Sequence, residues 1–156
     1  MTSMNTIVLG LDQSKGAQAA ARWVTQIARA SDARVVAVHV MPRSELWTLG
    51  ALQVDAKPLV DELRTLLAGQ WTSSLRKADI ACTTRFVRGD PATELLRVAT
   101  RLNATMPVIG TKGHSSVHDF VVGGTVHKII NRSSVPVVLV PTVRRPMAVK
   151  PPSSPS

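Results

Sequence analysis

Short aliphatic runs alternate regularly with longer amphipathic stretches along most of this chain, and this alternation limits the fold that it can adopt. Five runs read as buried strands, and they lie at 5–11, 34–41, 80–87, 106–109 and 135–140. Between them, apolar residues recur with the period of a helix. Strands and helices in strict alternation favour right-handed crossovers and a parallel sheet. We therefore predict one α/β domain built on a five-stranded parallel sheet.

Local signals refine this prediction. Ser14 is placed to cap the first helix, and Asp90-Pro91 is typical of a helix start. The apolar stripe from Leu59 to Leu75 predicts one long helix, whereas a loop is expected at roughly 43–52. Pro107 cannot donate to a central ladder, so we expect it at the first residue of the fourth strand.

Composition points to an aliphatic core in a reducing compartment. Hydrophobic residues make up 44% of the 156 residues but aromatic residues only 3%, which suits a parallel sheet covered by helices. The single cysteine, Cys82, cannot form an internal disulfide. We see no signal peptide at the N-terminus and no apolar run near the ~20 residues of a membrane helix. We expect a cytoplasmic protein with no membrane partner.

The chain is strongly basic, with 19 Lys and Arg against 10 Asp and Glu and a net charge of +9. This balance suits an anionic ligand, or it is simply a solvated basic surface. Aromatic residues are scarce, and we recognise no motif that reads nucleic-acid bases. Both observations argue against nucleic acid as a partner. We assign 1–142 to the folded domain, and we expect 143–156, rich in Pro, Ser and basic residues, to be a flexible tail.

The exit of the fourth strand carries the most informative motif. It reads Gly110-Thr111-Lys112-Gly113, then nine residues, then Gly123-Gly124-Thr125. Glycines let a backbone turn tightly and approach a ligand, and the loop opens a helix whose first N–H groups favour an anion. Lys112 adds a positive charge. Alternatively, the glycines serve turns alone.

The stretch 107–140 resembles the C-terminal signature of the universal stress protein family, whose nucleotide-binding members carry Gly-x2-Gly-x9-Gly-Ser/Thr. Asn5 to Ser14, His39-Val40 and Gly89-Asp90-Pro91 resemble other family features. The resemblance implies a doubly wound sheet of order 3-2-1-4-5, of the adenine-nucleotide alpha-hydrolase-like type. It also implies a homodimer through the edge strand 135–140; alternatively, a loop or the tail covers this edge.

The same resemblance implies a site for ATP, with or without Mg²⁺, or for another adenine nucleotide such as cyclic AMP. Its residues would be those at the strand exits and in the glycine loop: Asp12, Val40, Gly110, Lys112, Gly113, Gly123, Gly124 and Thr125. The hydroxyl expected directly after Gly123 is replaced by Gly124, and Thr125 follows one place late. A lost bond to a charged phosphate would weaken binding by roughly 10- to 100-fold.

Other residues admit simpler interpretations. Asp12 is also a suitable turn residue. Trp47 either covers the loop after the second strand or stacks on a base. Cys82 is expected to be packed in or near the core, and His39 to be packed or hydrogen-bonded. We predict no metal site, although His114 and His118 lie four apart. Packing is also expected of the remaining tryptophans, Trp23 and Trp71.

Two functions remain open from the sequence. The first is a nucleotide-binding stress or regulatory protein with no catalytic residues, or at most a slow ATPase, because no general base or metal-binding carboxylate pair accompanies the loop. The second is a nucleotide-independent, dimeric interaction protein, which the replacement at Gly124 favours.

Overall fold

A computed structural model describes residues 5–111 and 123–142. Its centre is a five-stranded parallel sheet of order β3-β2-β1-β4-β5. The strands are β1 (Thr6–Gly10), β2 (Arg34–Met41), β3 (Cys82–Arg88), β4 (Met106–Gly110) and β5 (Val138–Val140). This order and the parallel pairing confirm the predicted fold class.

Helices cover both faces of the sheet. They are α1 (Lys15–Ser31), α2 (Arg43–Ala51), α3 (Lys57–Ala68), α4 (Ser73–Lys77), α5 (Pro91–Arg101) and α6 (Gly124–Arg132), with a 3₁₀ turn at Gln70–Thr72. Apolar residues of α1, α3 and α4 pack on one face, and those of α5 and α6 pack on the other. None of the helices in 5–111 and 123–142 is long and apolar enough to cross a bilayer.

The first helix forms where the sequence predicts it. Ser14 is its N-cap, and the Ser14 Oγ accepts a hydrogen bond from the Ala17 amide at 3.0 Å. The stripe that includes Ala20, Val24 and Ala28 is buried against the sheet. The helix ends at Asp32, which adopts a left-handed conformation.

The segment after β2 is a helix rather than the expected loop. α2 begins directly after Pro42, and none of its residues is buried. Its apolar residues form no stripe of helical period, so the pattern that identified the other helices is missing. The prediction of a loop at 43–52 was therefore wrong. It failed because this helix lacks the buried apolar face by which the other helices were recognised.

The predicted long helix over 59–75 is broken at Gly69. The Arg76 guanidinium donates to the carbonyls of Ala68 and Gly69 and to the Thr72 hydroxyl, which itself donates to Leu67 O at 2.9 Å. These bonds satisfy carbonyls freed at the end of α3. The apolar stripe continues across the break because both pieces face the same core, so periodicity alone could not locate it.

Strand limits also differ from the prediction. β1 spans 6–10 rather than 5–11, β3 begins at Cys82 rather than Ile80, and β5 covers three residues rather than 135–140. Pro107 is the second residue of β4, not the first, and pairs with Val8 of β1. The ladder from β4 to β5 begins only at Val108, so a strand borders Pro107 on one side only. A missing N–H is tolerated in such a setting.

Asp90 caps α5 and links it to α6. Its Oδ2 accepts from the Thr93 amide at 3.0 Å and the Thr93 hydroxyl at 2.8 Å, and its Oδ1 accepts from Lys128 Nζ at 2.9 Å. The bonds from Lys128 and then Thr93 lower the pKa of Asp90 from 3.8 to about 2. Ionised Asp90 therefore stabilises the junction of two helices.

We expect the contribution of ionised Asp90 to the free energy of unfolding to be lost at acid pH. Since the folded pKa lies below the unfolded value, the contribution is complete above about pH 4 and disappears as the pH falls through about 2. Asp90→Ala should lower the free energy of unfolding by about 1 kcal/mol at pH 7. Asp90→Asn keeps the cap and should cost less, because the pair with Lys128 is solvent-screened.

Urea unfolding of wild type and Asp90→Asn between pH 7 and pH 2 measures the effect. The gap between the two proteins should close toward pH 2. A gap that stays constant over this range would contradict the role of the ionised carboxylate.

Candidate functional site

A cavity of about 210 Å³ opens at the carboxyl ends of β1, β2 and β4. The strand order reverses at this point, since the chain proceeds from β1 outward to β2 and later returns to place β4 on the other side of β1. Ligands of open parallel sheets bind in the crevice at such a reversal. The cavity therefore lies where the topology favours a binding site.

The cavity brings together every predicted site residue that the structure describes. These are Asp12, Val40, Gly110, Gly123, Gly124 and Thr125. Lys112 and Gly113 lie outside the described residues. The wall also contains residues that the sequence did not single out as a site. Its apolar members include Leu11, Ala17, Val38, Leu95, Ile109 and Val126. Contact of any of these residues with a ligand stays a prediction.

Asp12 joins the end of β1 to the start of α1. Its Oδ1 accepts a hydrogen bond from the Ser14 amide at 2.8 Å, which is the turn arrangement expected for an aspartate two residues upstream. The same residue also lines the cavity. The interpretation of Asp12 as a turn residue is thus confirmed, and the same residue lies at the crevice.

The N-terminus of α6 supplies backbone donors to the cavity. Its N-cap, Gly123, makes no side-chain capping bond, and the first turn contains no acidic residue. The amides of Gly124, Thr125 and Val126 precede the first intrahelical bond, from the His127 amide to Gly123 O at 3.1 Å. All three residues line the cavity. A helix start of this kind favours an anion.

The glycines of the motif are there for different reasons. A Cβ at Gly110 would lie 2.8 Å from Gly16 Cα and still closer to the Gly16 carbonyl, so β4 and α1 require glycine at this contact. A Cβ at Gly123 or Gly124 would meet no atom of the described residues within 4 Å. Packing therefore explains Gly110, whereas Gly123 and Gly124 leave room over the helix start.

Charged side chains on the described wall are all acidic. They are Asp12, after β1, and Glu45, in the first turn of α2. Glu45 was missed because its segment was predicted to be a loop, although its position just after the exit of β2 could have indicated it. Carboxylates on the β1–β2 side suit hydroxyl or amino donors of a ligand, while the amides of α6 suit its anionic end.

Residues given simpler interpretations lie as follows. Trp23 and Trp71 are partly buried against the core, as predicted. Burial raises the pKa of the half-buried Cys82 thiol, which disfavours a nucleophilic role. Trp47 is 81% exposed on α2 and is not among the described residues of the cavity wall, so the expectation that it covers a loop was wrong.

Metal-ligand chemistry finds no support within 5–111 and 123–142. No group of three or more His, Cys, Asp or Glu side chains there could hold a metal ion. His114 and His118 lie outside these residues. His39 is buried at the end of β2, and its ring packs beside Trp71 and Phe86.

Sequence comparison identifies relatives over almost the full domain. A profile of the universal stress protein family matches residues 4–141. Universal stress protein YxiE of Bacillus subtilis is 23% identical over 145 residues, which cover 87% of this chain and 98% of YxiE. Universal stress protein MJ0531 of Methanocaldococcus jannaschii is 26% identical over 144 residues, covering 86% and 80% of the two chains.

Solved structures share the fold. Hypothetical protein MJ0577 matches with a TM-score of 0.78 at 19% identity, over 88% of this chain and 95% of its own. A universal stress protein in complex with cAMP matches at 0.66 and 24% identity, over 91% and 100%. The universal stress protein of Archaeoglobus fulgidus in complex with dAMP matches at 0.64 and 20% identity, over 90% and 99%.

Two alanine substitutions should separate the packing glycine from the open one. Gly110→Ala forces β4 away from α1 and should lower the free energy of unfolding by on the order of 1–3 kcal/mol. Gly124→Ala enters open space at the first position of a helix and should leave stability unchanged or raise it by about 0.5 kcal/mol. Urea denaturation of both variants measures the difference. Equal losses would contradict the distinction.

Proposed function

This chain belongs to the universal stress protein family, and we propose that it binds an adenine nucleotide, with ATP as the first candidate, in the cavity at the carboxyl edge of its sheet. One observation carries the proposal: the start of α6, whose N-cap is a glycine without a side chain, and the apolar ends of β1 and β2 line the same cavity. A nucleotide needs both surfaces, since its phosphates are anionic and its base is flat and largely apolar.

The order of the strands suggests the orientation of the nucleotide. β2, β1 and β4 are neighbours in that order, so Val40 of β2 and Gly110 of β4, which both line the cavity, lie on opposite sides of the β1 exit. We place the base at Val38 and Val40 and the phosphates at the amides of Gly124 to Val126. Asp12 and Glu45 then lie toward the nucleoside, where they can accept bonds from sugar hydroxyls.

Relatives support this ligand class. Two proteins of similar fold were solved in complex with cAMP and with dAMP, and adenine is common to both ligands. We infer a regulatory role in the cytoplasm in which occupancy of the cavity is the signal. Lys112 and Gly113, which precede α6 in the sequence, are proposed to join the phosphate contacts.

The proposed activity is binding rather than efficient hydrolysis. The two carboxylates of the described wall, Asp12 and Glu45, belong to different strand exits, and Asp12 Oδ1 is engaged by the Ser14 amide. We assign both carboxylates to the nucleoside and neither to the activation of a water molecule at the phosphates. Any ATP turnover is therefore expected to be slow, with or without Mg²⁺.

Titration calorimetry with ATP, ADP, AMP and cyclic AMP, each with and without Mg²⁺, tests the proposal. Gly124→Ser adds a hydroxyl at the helix start in open space. It should tighten binding of MgATP by about 10-fold, because a bond to a charged phosphate stabilises by about 1.5 kcal/mol or more. Gly124→Ala is the matched control and should bind as the wild type does.

Absence of heat with every nucleotide up to millimolar concentration, in wild type and in Gly124→Ser, would refute nucleotide binding. The second candidate function, a nucleotide-independent interaction protein, would then stand. The missing side-chain hydroxyl at Gly124 is the observation that favours it.

We further propose a homodimer through the edge strand at 135–140, as the family resemblance suggests. β5 borders β4 on one side, and α1 and β5 form an open groove beside it. Trp23, Arg22 and Gln26 of α1 line this groove together with Val138 to Thr142. An unpaired apolar edge strand is a surface that pairs readily with another chain.

Analytical ultracentrifugation should show a species of twice the chain mass. Arg22→Glu reverses a charge in the groove and should weaken self-association by about 10-fold, since a misplaced charge at an interface costs more than 1 kcal/mol. Arg101→Glu makes the same change at an exposed arginine of α5, on the other face of the sheet, and should have no effect. A monomer at all concentrations, or equal effects of both variants, would contradict this interface.

A further inference from the structure

Leu11, the residue that follows β1, is hydrogen-bonded to β2 through both its amide and its carbonyl. Its amide donates to Val38 O at 2.8 Å, and its carbonyl is bonded to Nδ1 of His39 at 2.8 Å. The β1–β2 ladder ends at the pair Gly10 and Val38. The His39 side chain thus extends the pairing past the last pair of the strands.

The carbonyl of Leu11 defines which ring nitrogen of His39 carries the hydrogen. A carbonyl oxygen only accepts, so Nδ1 donates to Leu11 O. The ring is 8% exposed and is packed at 5.2 Å from the Trp71 ring and 5.6 Å from the Phe86 ring, measured between centroids. Packing on both aromatic rings restricts the rotation of the imidazole, so the donor has a fixed direction.

A series of bonds continues from Leu11 into the cavity wall. Asp12 comes next in the chain, its Oδ1 accepts from the Ser14 amide, and the Ser14 Oγ accepts from the Ala17 amide. Asp12, Ser14 and Ala17 all line the cavity, as does His39 itself. The bond from His39 therefore fixes the backbone from which the Asp12 turn begins.

We propose that His39 is a positioning residue for the nucleotide site, acting through its Nδ1 hydrogen bond to Leu11 O to hold the Asp12 turn in its binding geometry. The proposal rests on nucleotide binding as the proposed function. It assigns the effect to the hydrogen bond and not to the packing of the ring.

Two substitutions at His39 separate the bond from the ring. His39→Asn places an amide nitrogen where Nδ1 stands and removes the ring. His39→Phe keeps an aromatic ring beside Trp71 and Phe86 and removes the donor. We expect MgATP to bind about 3- to 10-fold more weakly to His39→Phe, the effect of one lost hydrogen bond, and within about 2-fold of wild type to His39→Asn.

A measurement without ligand accompanies the titration. Amide hydrogen exchange of Ser14 and Ala17 in the free protein reports the turn directly, because both amides donate to its side chains. Exchange of these amides should accelerate several-fold in His39→Phe and remain near wild type in His39→Asn. Urea unfolding of each variant provides the stability reference, and His39→Leu replaces His39→Phe if the latter does not fold.

The outcomes distinguish this inference from the proposed function. Wild-type affinity and wild-type exchange in His39→Phe would overturn the positioning role. A loss in His39→Asn as large as or larger than that in His39→Phe would also overturn it, because His39→Asn retains the donor and lacks only the ring. If no nucleotide binds to the wild type, the proposed function fails, and the exchange rates still decide whether His39 holds the turn.

Discussion

The close approach of two backbones, at Gly16 of α1 and Gly110 of β4, is the contact on which the architecture of the site depends. A single Cβ at Gly110 would overlap the Gly16 backbone, so the end of β4 can reach the first turn of α1 only without one. This contact places the first turn of α1 directly beside the exit of β4, the strand that pairs with β1. The geometry of the crevice therefore follows from packing in the domain itself, before any ligand is considered.

The wall of the cavity owes more to backbone than to side chains. The start of α6 presents amide groups, the glycines at 123 and 124 present open space, and Asp12 is engaged in its own turn. Such a site has its donors in place without ordering long side chains, which limits the entropy lost on binding. Because the donors are backbone amides, glycine can stand at position 124, where relatives carry Ser or Thr, and the helix start still forms.

The sequence predicts the sheet and much of the site because both depend on local signals. Aliphatic runs marked the strands, Ser14 and Asp90 marked two helix starts, and the residues at the strand exits met in one cavity. The sequence patterns failed to predict elements that lack a buried apolar stripe and element ends that tertiary contacts determine. α2 has no buried face, and the break at Gly69 depends on Arg76, whose guanidinium reaches back over seven residues. His39 was expected to be packed or hydrogen-bonded and is both, but its partner Leu11 could be identified only once the strands are paired.

α2 has a consequence for how the cavity behaves in time. A nine-residue helix without a buried residue lies below the roughly 12–15 residues at which isolated helices become even marginally stable. Its opening is therefore expected to be nearly independent of the unfolding of the sheet, as a separate unit of low local stability. Since Glu45 belongs to its first turn, part of the cavity wall is built from a segment of low local stability, while Leu95, Ile109 and Val126 of the same wall belong to the core.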